Sequence, residues 1–349
     1  MRRRTLAWAR YAIALTAHYS GADFLYRKAG GAGLVVLMLH RLRDQPDPYP
    51  LSTSRASFGK MVGWLRQRNA LVDMESGLRG LEGVRGSGIA YVLTFDDGYH
   101  DNLALLDAGL AGAGQQAVPA IVYVATGHVG SQPIWAYQLQ HAVEAHTVGR
   151  LDLGMLGLGQ FDLSEAFDRE RLYLQLPPRL KLLEPSQLQE CIDCIVGQLQ
   201  PRPAAPEGEM LDWEDVLRLQ ENGVQIGAHT RHHVILQRAD EQTARAEIQG
   251  SLSDIAAATR HTPAHFAYPN GAAADFGENH VRMVKEAGFR TAVTTIEGTN
   301  RRGTDPYRLL RHNVHEQRYR APPGHLSPAL FFSETSGLLG WLRLRRNAA

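Results

Sequence analysis

Seven apolar runs punctuate the chain, at 33–40, 90–96, 117–125, 223–229, 264–268, 289–295 and 307–314. Between them, at 55–68, 100–113, 212–222, 239–258 and 277–287, apolar residues recur at helical spacing. Short continuous apolar runs read as strands buried on both faces, and strands that alternate with helices pair in parallel. The rhythm therefore predicts an α/β chain folded as a distorted (β/α) barrel with about seven parallel strands. An active site of that architecture lies at the rim formed by the C-terminal strand ends. Residues 131–210 break the rhythm. Trp135, a Gly/Leu-rich run at 151–160 and the Pro-rich PRPAAPEGE read as a mainly helical insertion after the third strand, placed to lid the cleft. The expected organisation is a basic, amphipathic helix over 1–30, a barrel with its insertion over 31–325, and a basic amphipathic tail over 326–349.

Three strand ends carry chemistry. Tyr91 to Tyr99 reads YVLTFDDGY, in which a strand-forming run stops at two adjacent carboxylates and a glycine. Two acids at one strand tip are comfortable together only when they share a cation or a proton, which makes Asp96 and Asp97 candidates for metal-assisted acid/base work. A lone DDG also serves as a turn and helix cap, so other segments must decide. At 226–236, IGAHTRHHVIL, His229 and His233 stand four apart, as on one side of a helical turn, where both imidazoles can meet one ion with a carboxylate as third ligand. His232 would replace His233 on a different backbone path. The third segment, HFAYPNG at 265–271, reads as a short strand closing in a turn. There the Asn270 N–H can donate to a developing oxyanion and Gly271 lets substrate approach. His40 and Arg41 end the first strand and either face the site or support it.

In that order, TFDDG (94–98), HTRHH (229–233) and FAYPNG (266–271) resemble the polysaccharide deacetylases of carbohydrate esterase family 4. LMLHR (37–41), VYVATG (122–127) and DPYRLLR (305–311) extend the resemblance over roughly 33–316, toward a bacterial branch of that family. It implies Asp96 as catalytic base and Asp97, His229 and His233 as ligands of zinc or another divalent transition metal. The implied activity is metal-dependent removal of N-acetyl groups from an amino-sugar unit of a bacterial polysaccharide or its lipid-linked precursor. The implied partner is therefore an N-acetylated polysaccharide or oligosaccharide.

Two departures from the family pattern matter. Ala267 stands where many members carry an arginine that orients the base, and Arg311 is the candidate to replace it, since a guanidinium can pair bidentately with a carboxylate. Val234 stands where proline is usual. Leu310-Arg311-His312 fits the family's L-x-H, whose histidine protonates the leaving amine; His315 is the second candidate. The alternatives outside catalysis are an inactive, metal-containing sugar-binding protein and a membrane-associated component of polysaccharide assembly.

The rest of the chain narrows the class. With 349 residues, 44% of them hydrophobic, the chain can bury a large core, and a net charge of +1 argues against a nucleic-acid partner. Cys191 and Cys194 read as one core-facing stripe of a helix rather than a redox pair. MRRRTLAWARYAIALTAHYSGA begins like a signal peptide, but Arg10 interrupts it. Arg2 to Arg4 and GLLGWLRLRR at 337–346 either rest on anionic lipid or cover the barrel ends. The expected location is cytoplasmic, in peripheral contact with the inner membrane if the lipid reading holds.

Overall fold

The computed structural model describes residues 2–29, 31–44, 52–83, 88–111, 117–202 and 208–340. Its centre is a closed barrel of seven parallel strands: Gly33–Leu39, Ile89–Phe95, Ile121–Val124, Gln225–Ala228, His265–Ala267, Thr291–Glu297 and Leu309–Asn313. Neighbours in sequence are neighbours in space. The ring closes at the first strand, where Leu37 is in register with Leu93 of the second and His312 of the seventh.

Side-chain parity sets two layers. Leu34 and Val36 point into the barrel with Val92, Tyr123, Ala267, Val293 and Leu309. Val35, Leu37 and Leu39 point outward into the layer that holds Phe58, Met61 and Leu65 of the helix Arg55–Gln67. Each fully buried side chain of this size contributes about 1.5–3 kcal/mol, so a one-residue slip that exchanged the two sets would be costly. The same parity selects what reaches the rim. Met38, His40, Asp96, Thr295 and Asn313 face the cleft there, with Arg311 just beneath.

Local chemistry starts the helices where polar side chains can hold free N–H groups. Ser54 caps Arg55–Gln67, Asp240 caps Glu241–Thr259, and Asp212 and Asp215 form a capping box at Trp213–Glu221. A helix at Met74–Glu82, capped by Asp73, joins those expected. The helix expected at 100–113 is instead a 3₁₀ segment, His100–Leu106, and a short helix, Ala108–Ala111. The Asp107 carboxylate accepts from Gly109 N at 2.7 Å and starts the second turn afresh; residues 112 and 113 lie outside the described residues.

The segment after the third strand is mainly helical, with helices Trp135–Glu144, Ala166–Leu180 and Pro185–Leu199 around a core of its own. Its Gly/Leu-rich run is not α-helical and holds one short 3₁₀ turn, Gly154–Leu156. Arg150–Asp152 and Gln160–Asp162 form an antiparallel hairpin, turned by Gly157 and Gly159 at φ +70° and +74°. The expected cysteine stripe is also split, since Cys191 is buried and Cys194 exposed. Three helical positions rotate the chain far enough to bring the second thiol to solvent.

At the termini, helix Arg2–Tyr19 packs on helix Pro328–Thr335 through Ala14, Ala329 and Leu330, with Arg10 Nε donating to the buried Glu334 at 2.8 Å. Phe331 and Phe332 carry that pair onto the outer layer of the barrel. Trp341 and the arginines after it lie outside the described residues. No helix among the described residues is long and apolar enough to cross a membrane.

Candidate active site

The second strand delivers Asp96 inward, and Arg311 of the seventh strand meets it there. Nη1 and Nη2 donate to the two oxygens of Asp96, each at 2.7 Å, while Nε donates to Thr294 O at 2.7 Å and Nη1 also to Thr94 Oγ1 at 3.2 Å. Arg311 is 0% exposed and Asp96 2%. Burial by itself would raise the Asp96 carboxyl, but the guanidinium beside it holds it below the usual carboxylate range. Ala267 leaves room inside the barrel on the fifth strand, so the arginine reaches the carboxylate from a different strand.

Asp97 and Gly98 follow at φ +78° and +83°, a left-handed pair that turns the chain at the rim. That turn sets Asp97 Oδ1 3.5 Å from His229 Nε2 and 3.3 Å from His233 Nε2. One donor atom from each of these three buried residues lies within 4.8 Å of the other two. His229 follows the fourth strand, and its Nδ1 donates to Ala267 O at 2.8 Å; burial opposes charge on the ring while Asp97 and Asp96 raise it, and in the neutral form Nε2 carries the lone pair. Burial holds His233 down at about 3, so its imidazole is neutral, and its Nδ1 has no protein partner.

The histidine spacing works for a reason other than the expected helical turn. Residues 229–233 are not helical; Thr230 and His233 adopt φ +60° and +53°, and the loop folds back on itself. Glu247 holds it by accepting from Arg231 N and His232 N at 2.9 and 2.8 Å, while Arg231 pairs with Asp254 through Nε and Nη2 at 2.8 and 2.6 Å. His232 is thereby excluded from the cluster: its Nδ1 contacts Glu247 Oε1 at 2.6 Å and its side chain is 61% exposed. Glu247 and Asp254 carry no motif that would have revealed this role.

Asn270 also faces the cleft, at φ +58°, with its carbonyl accepting from Thr295 Oγ1 at 2.6 Å and its Nδ2 buried without a partner. Gly271 follows at φ +61°, where a Cβ would meet Thr295 N and Tyr268 O at 2.9 Å.

The expected acid, His312, sits on the wrong face. Arg311 points into the barrel, so strand alternation sends His312 outward, where Nδ1 lies 3.5 Å from Glu297 Oε1. Neither His312 nor His315 lines the cleft. His40 does, half-buried, near enough to act electrostatically on both Asp96 and Asp97. Its neighbour Arg41 turns away, donating to Asp101 at 2.8 Å and lying over the rings of Tyr99 and Tyr137 at 4.5 and 5.0 Å. Asn313 is a wall residue not foreseen, its Oδ1 buried and unpartnered. The cleft measures about 350 Å³ and is roofed by Ile134, Trp135, Pro177 and Lys181 of the insertion.

A family model described as polysaccharide deacetylase matches residues 84–292. The chain belongs to the polysaccharide deacetylase family. It is thus a hydrolase of carbon–nitrogen bonds, and the deacetylase barrel has solved counterparts. The Streptococcus pyogenes deacetylase PplD, in complex with acetate, is 15% identical at a TM-score of 0.52, over 84% of this chain and 96% of that one. A polysaccharide deacetylase from Bacillus cereus is 14% identical at 0.53, over 87% and 69%. IcaB from Ammonifex degensii is 17% identical at 0.51, over 88% and 98%. At these identities the likeness is one of fold. Comparison with curated proteins gives no match.

The donor set fits a cation. In a tetrahedral site with bonds of about 2.0–2.1 Å, neighbouring ligand atoms stand about 3.3 Å apart. The carboxylate-to-imidazole separations of 3.5 and 3.3 Å have that size and are long for hydrogen bonds.

Proposed function

We propose that this deacetylase removes N-acetyl groups from an amino-sugar unit of a bacterial polysaccharide or its lipid-linked precursor, with a divalent transition metal, zinc by its donor set, held by Asp97, His229 and His233. The observation that carries the reading is the buried Asp96–Arg311 pair beside an Asp/His/His cluster of metal-ligand dimensions. When bound, the cation would acidify a water and polarise the acetamide carbonyl.

The chain's own groups then divide the work. Asp96, kept ionised and fixed in orientation by Arg311, takes the proton from the attacking water. The Asn270 turn faces the carbonyl and donates to the oxygen as it gains charge. His40, the imidazole of the cleft outside the ligand set, gives a proton to the nitrogen as the carbon–nitrogen bond breaks, releasing acetate and a free amine. Its place beside both aspartates supports that role over His312, whose side chain leaves the barrel.

The test is acetate release from N-acetylated oligosaccharides by the purified protein with and without chelator. Release should stop on metal removal and return on adding zinc; release that survives complete removal refutes the scheme. For location, the reading is a cytoplasmic enzyme touching the membrane through helix Arg2–Tyr19, where Leu6 and Ile13 are exposed seven residues apart. Failure to float with anionic liposomes at low salt would dismiss that contact.

A further inference from the structure

Arg41 is 5% exposed and does not line the cleft, and none of its partners belongs to the ligand set or to the Asp96–Arg311 pair. Those partners come from three separate segments of the rim. Asp101, which accepts from Nε, lies in the 3₁₀ segment that follows the carboxylate turn. Tyr137, whose ring lies beside the guanidinium, belongs to the roof helix Trp135–Glu144. Glu209, which accepts from Nη2, stands where the chain returns from the insertion. The two ends of the insertion also meet the carboxylate turn here. His100 N donates to Glu209 O and Leu211 N to Gly98 O, each at 2.9 Å, while Ile134, Tyr137 and Met210 pack with Tyr99.

The same knot grips His40 on both sides of its place in the chain. Asn102 Nδ2 donates to His40 O at 2.9 Å, and Leu42 N donates to Asp101 Oδ1 at 3.0 Å. Arg41 Nε occupies the other Asp101 oxygen, so residues 40–42 are pinned to the segment that Asp96 and Asp97 lead into. A guanidinium is suited to this task, since its edge offers N–H groups to two carboxylates while its faces stack on rings. Precision matters at a proton donor, where a displacement of about 1 Å costs on the order of a hundredfold in rate.

We infer that Arg41 is a positioning residue for the reaction: by clamping the end of the first strand to Asp101 it fixes the His40 imidazole relative to Asp96, and through Tyr137 and Glu209 it ties that position to the seating of the roof. The inference rests on the reading of His40 as proton donor. Loosening the clamp displaces His40 and leaves Asp97, His229, His233 and the Asp96–Arg311 pair with their own partners.

The experiment is a double-mutant cycle on the full-length, zinc-loaded protein, with kcat measured on an N-acetylated oligosaccharide and on 4-nitrophenyl acetate. Arg41→Met should lower kcat on the oligosaccharide at least about tenfold and on the ester less than about twofold. In a His40→Gln background it should lower the oligosaccharide rate by less than about a further twofold, because the group it positions is gone. Should Arg41→Met fail to fold, Asp101→Asn makes the same test and should show the same pattern. The amide oxygen can still accept from Leu42 N, while its N–H groups face the Arg41 Nε–H donor to donor. Equal losses on both substrates, no loss on the oligosaccharide, or a full further loss in the His40→Gln background overturns the inference. A His40→Gln protein that keeps its oligosaccharide rate instead refutes His40 as the donor, and the inference falls with it.

Discussion

Replacing Arg311 by Met removes the partner of a carboxylate that is 2% exposed, together with all four N–H bonds the guanidinium donates, two to Asp96 and one each to Thr94 and Thr294. Breaking a buried ion pair from one side costs about 3–5 kcal/mol, because the remaining charge is desolvated and uncompensated. The sign of the pH dependence follows from the direction of the Asp96 shift. In the native protein its folded value lies below the ordinary aspartate value of about 3.9, so the pair's contribution is fully present above that value and is lost as pH falls through the folded one. Without the guanidinium, burial is the largest influence left, opposed by the weaker pull of His229 and His40, and the folded value rises. The folded variant then holds its proton longer than the unfolded chain, so its stability drops as pH rises from about 4 through the new value. Urea unfolding of both proteins across pH should show the deficit widening between acid and neutral conditions. Arg311→Met with Asp96→Asn should recover part of the loss, since no unpaired charge remains. A deficit below about 1 kcal/mol that does not vary with pH would refute the claim that this pair holds a buried charge.

Three further outcomes test other parts of the molecule. His40→Gln should depress acetamide hydrolysis by about 10²–10⁴-fold while sparing 4-nitrophenyl acetate, whose leaving group needs no proton; equal loss on both substrates would remove His40 as the donor. Zinc at a hundredfold its Kd should raise the unfolding free energy by about 2.7 kcal/mol, and Asp97→Ala should abolish that gain; thermal melts with and without zinc decide it. Glu316 accepts from Ser54 N and Oγ at 3.2 and 2.7 Å and pairs with Arg320, contacts that overcome its burial and hold it at about 2. Its contribution is present above the ordinary glutamate value and lost as pH falls toward 2, so Glu316→Gln should flatten the acid limb of stability, and an unaltered limb would contradict this.

Strand identity was readable because a parallel barrel buries both faces of its strands, and runs such as LVVLML and YVLTF are too short and too rich in β-branched and aromatic residues for buried helices. The same runs end in the carboxylates and imidazoles of the cleft, so the candidate ligands and Arg311 were legible along with the strands. The proposed proton donor was not. Leu310-Arg311-His312 fits the pattern in letters, but two adjacent strand residues cannot both face inward, and with Arg311 inside, His312 must leave. His40 lay two residues beyond a buried methionine and became distinguishable only once parity was anchored by the barrel's register.

The chain's local chemistry determined the number and order of the barrel strands, the capped helices and the carboxylate-bearing turn, because each depends on residues adjacent in sequence. Tertiary structure alone decided how His229 and His233 meet Asp97, since that takes left-handed backbone at Thr230 and His233 and a distant Glu247 to hold the loop. It alone decided, too, which insertion residues roof the cleft and that a second cavity lies beside it. Distances between segments more than a hundred residues apart leave no periodic trace along a chain.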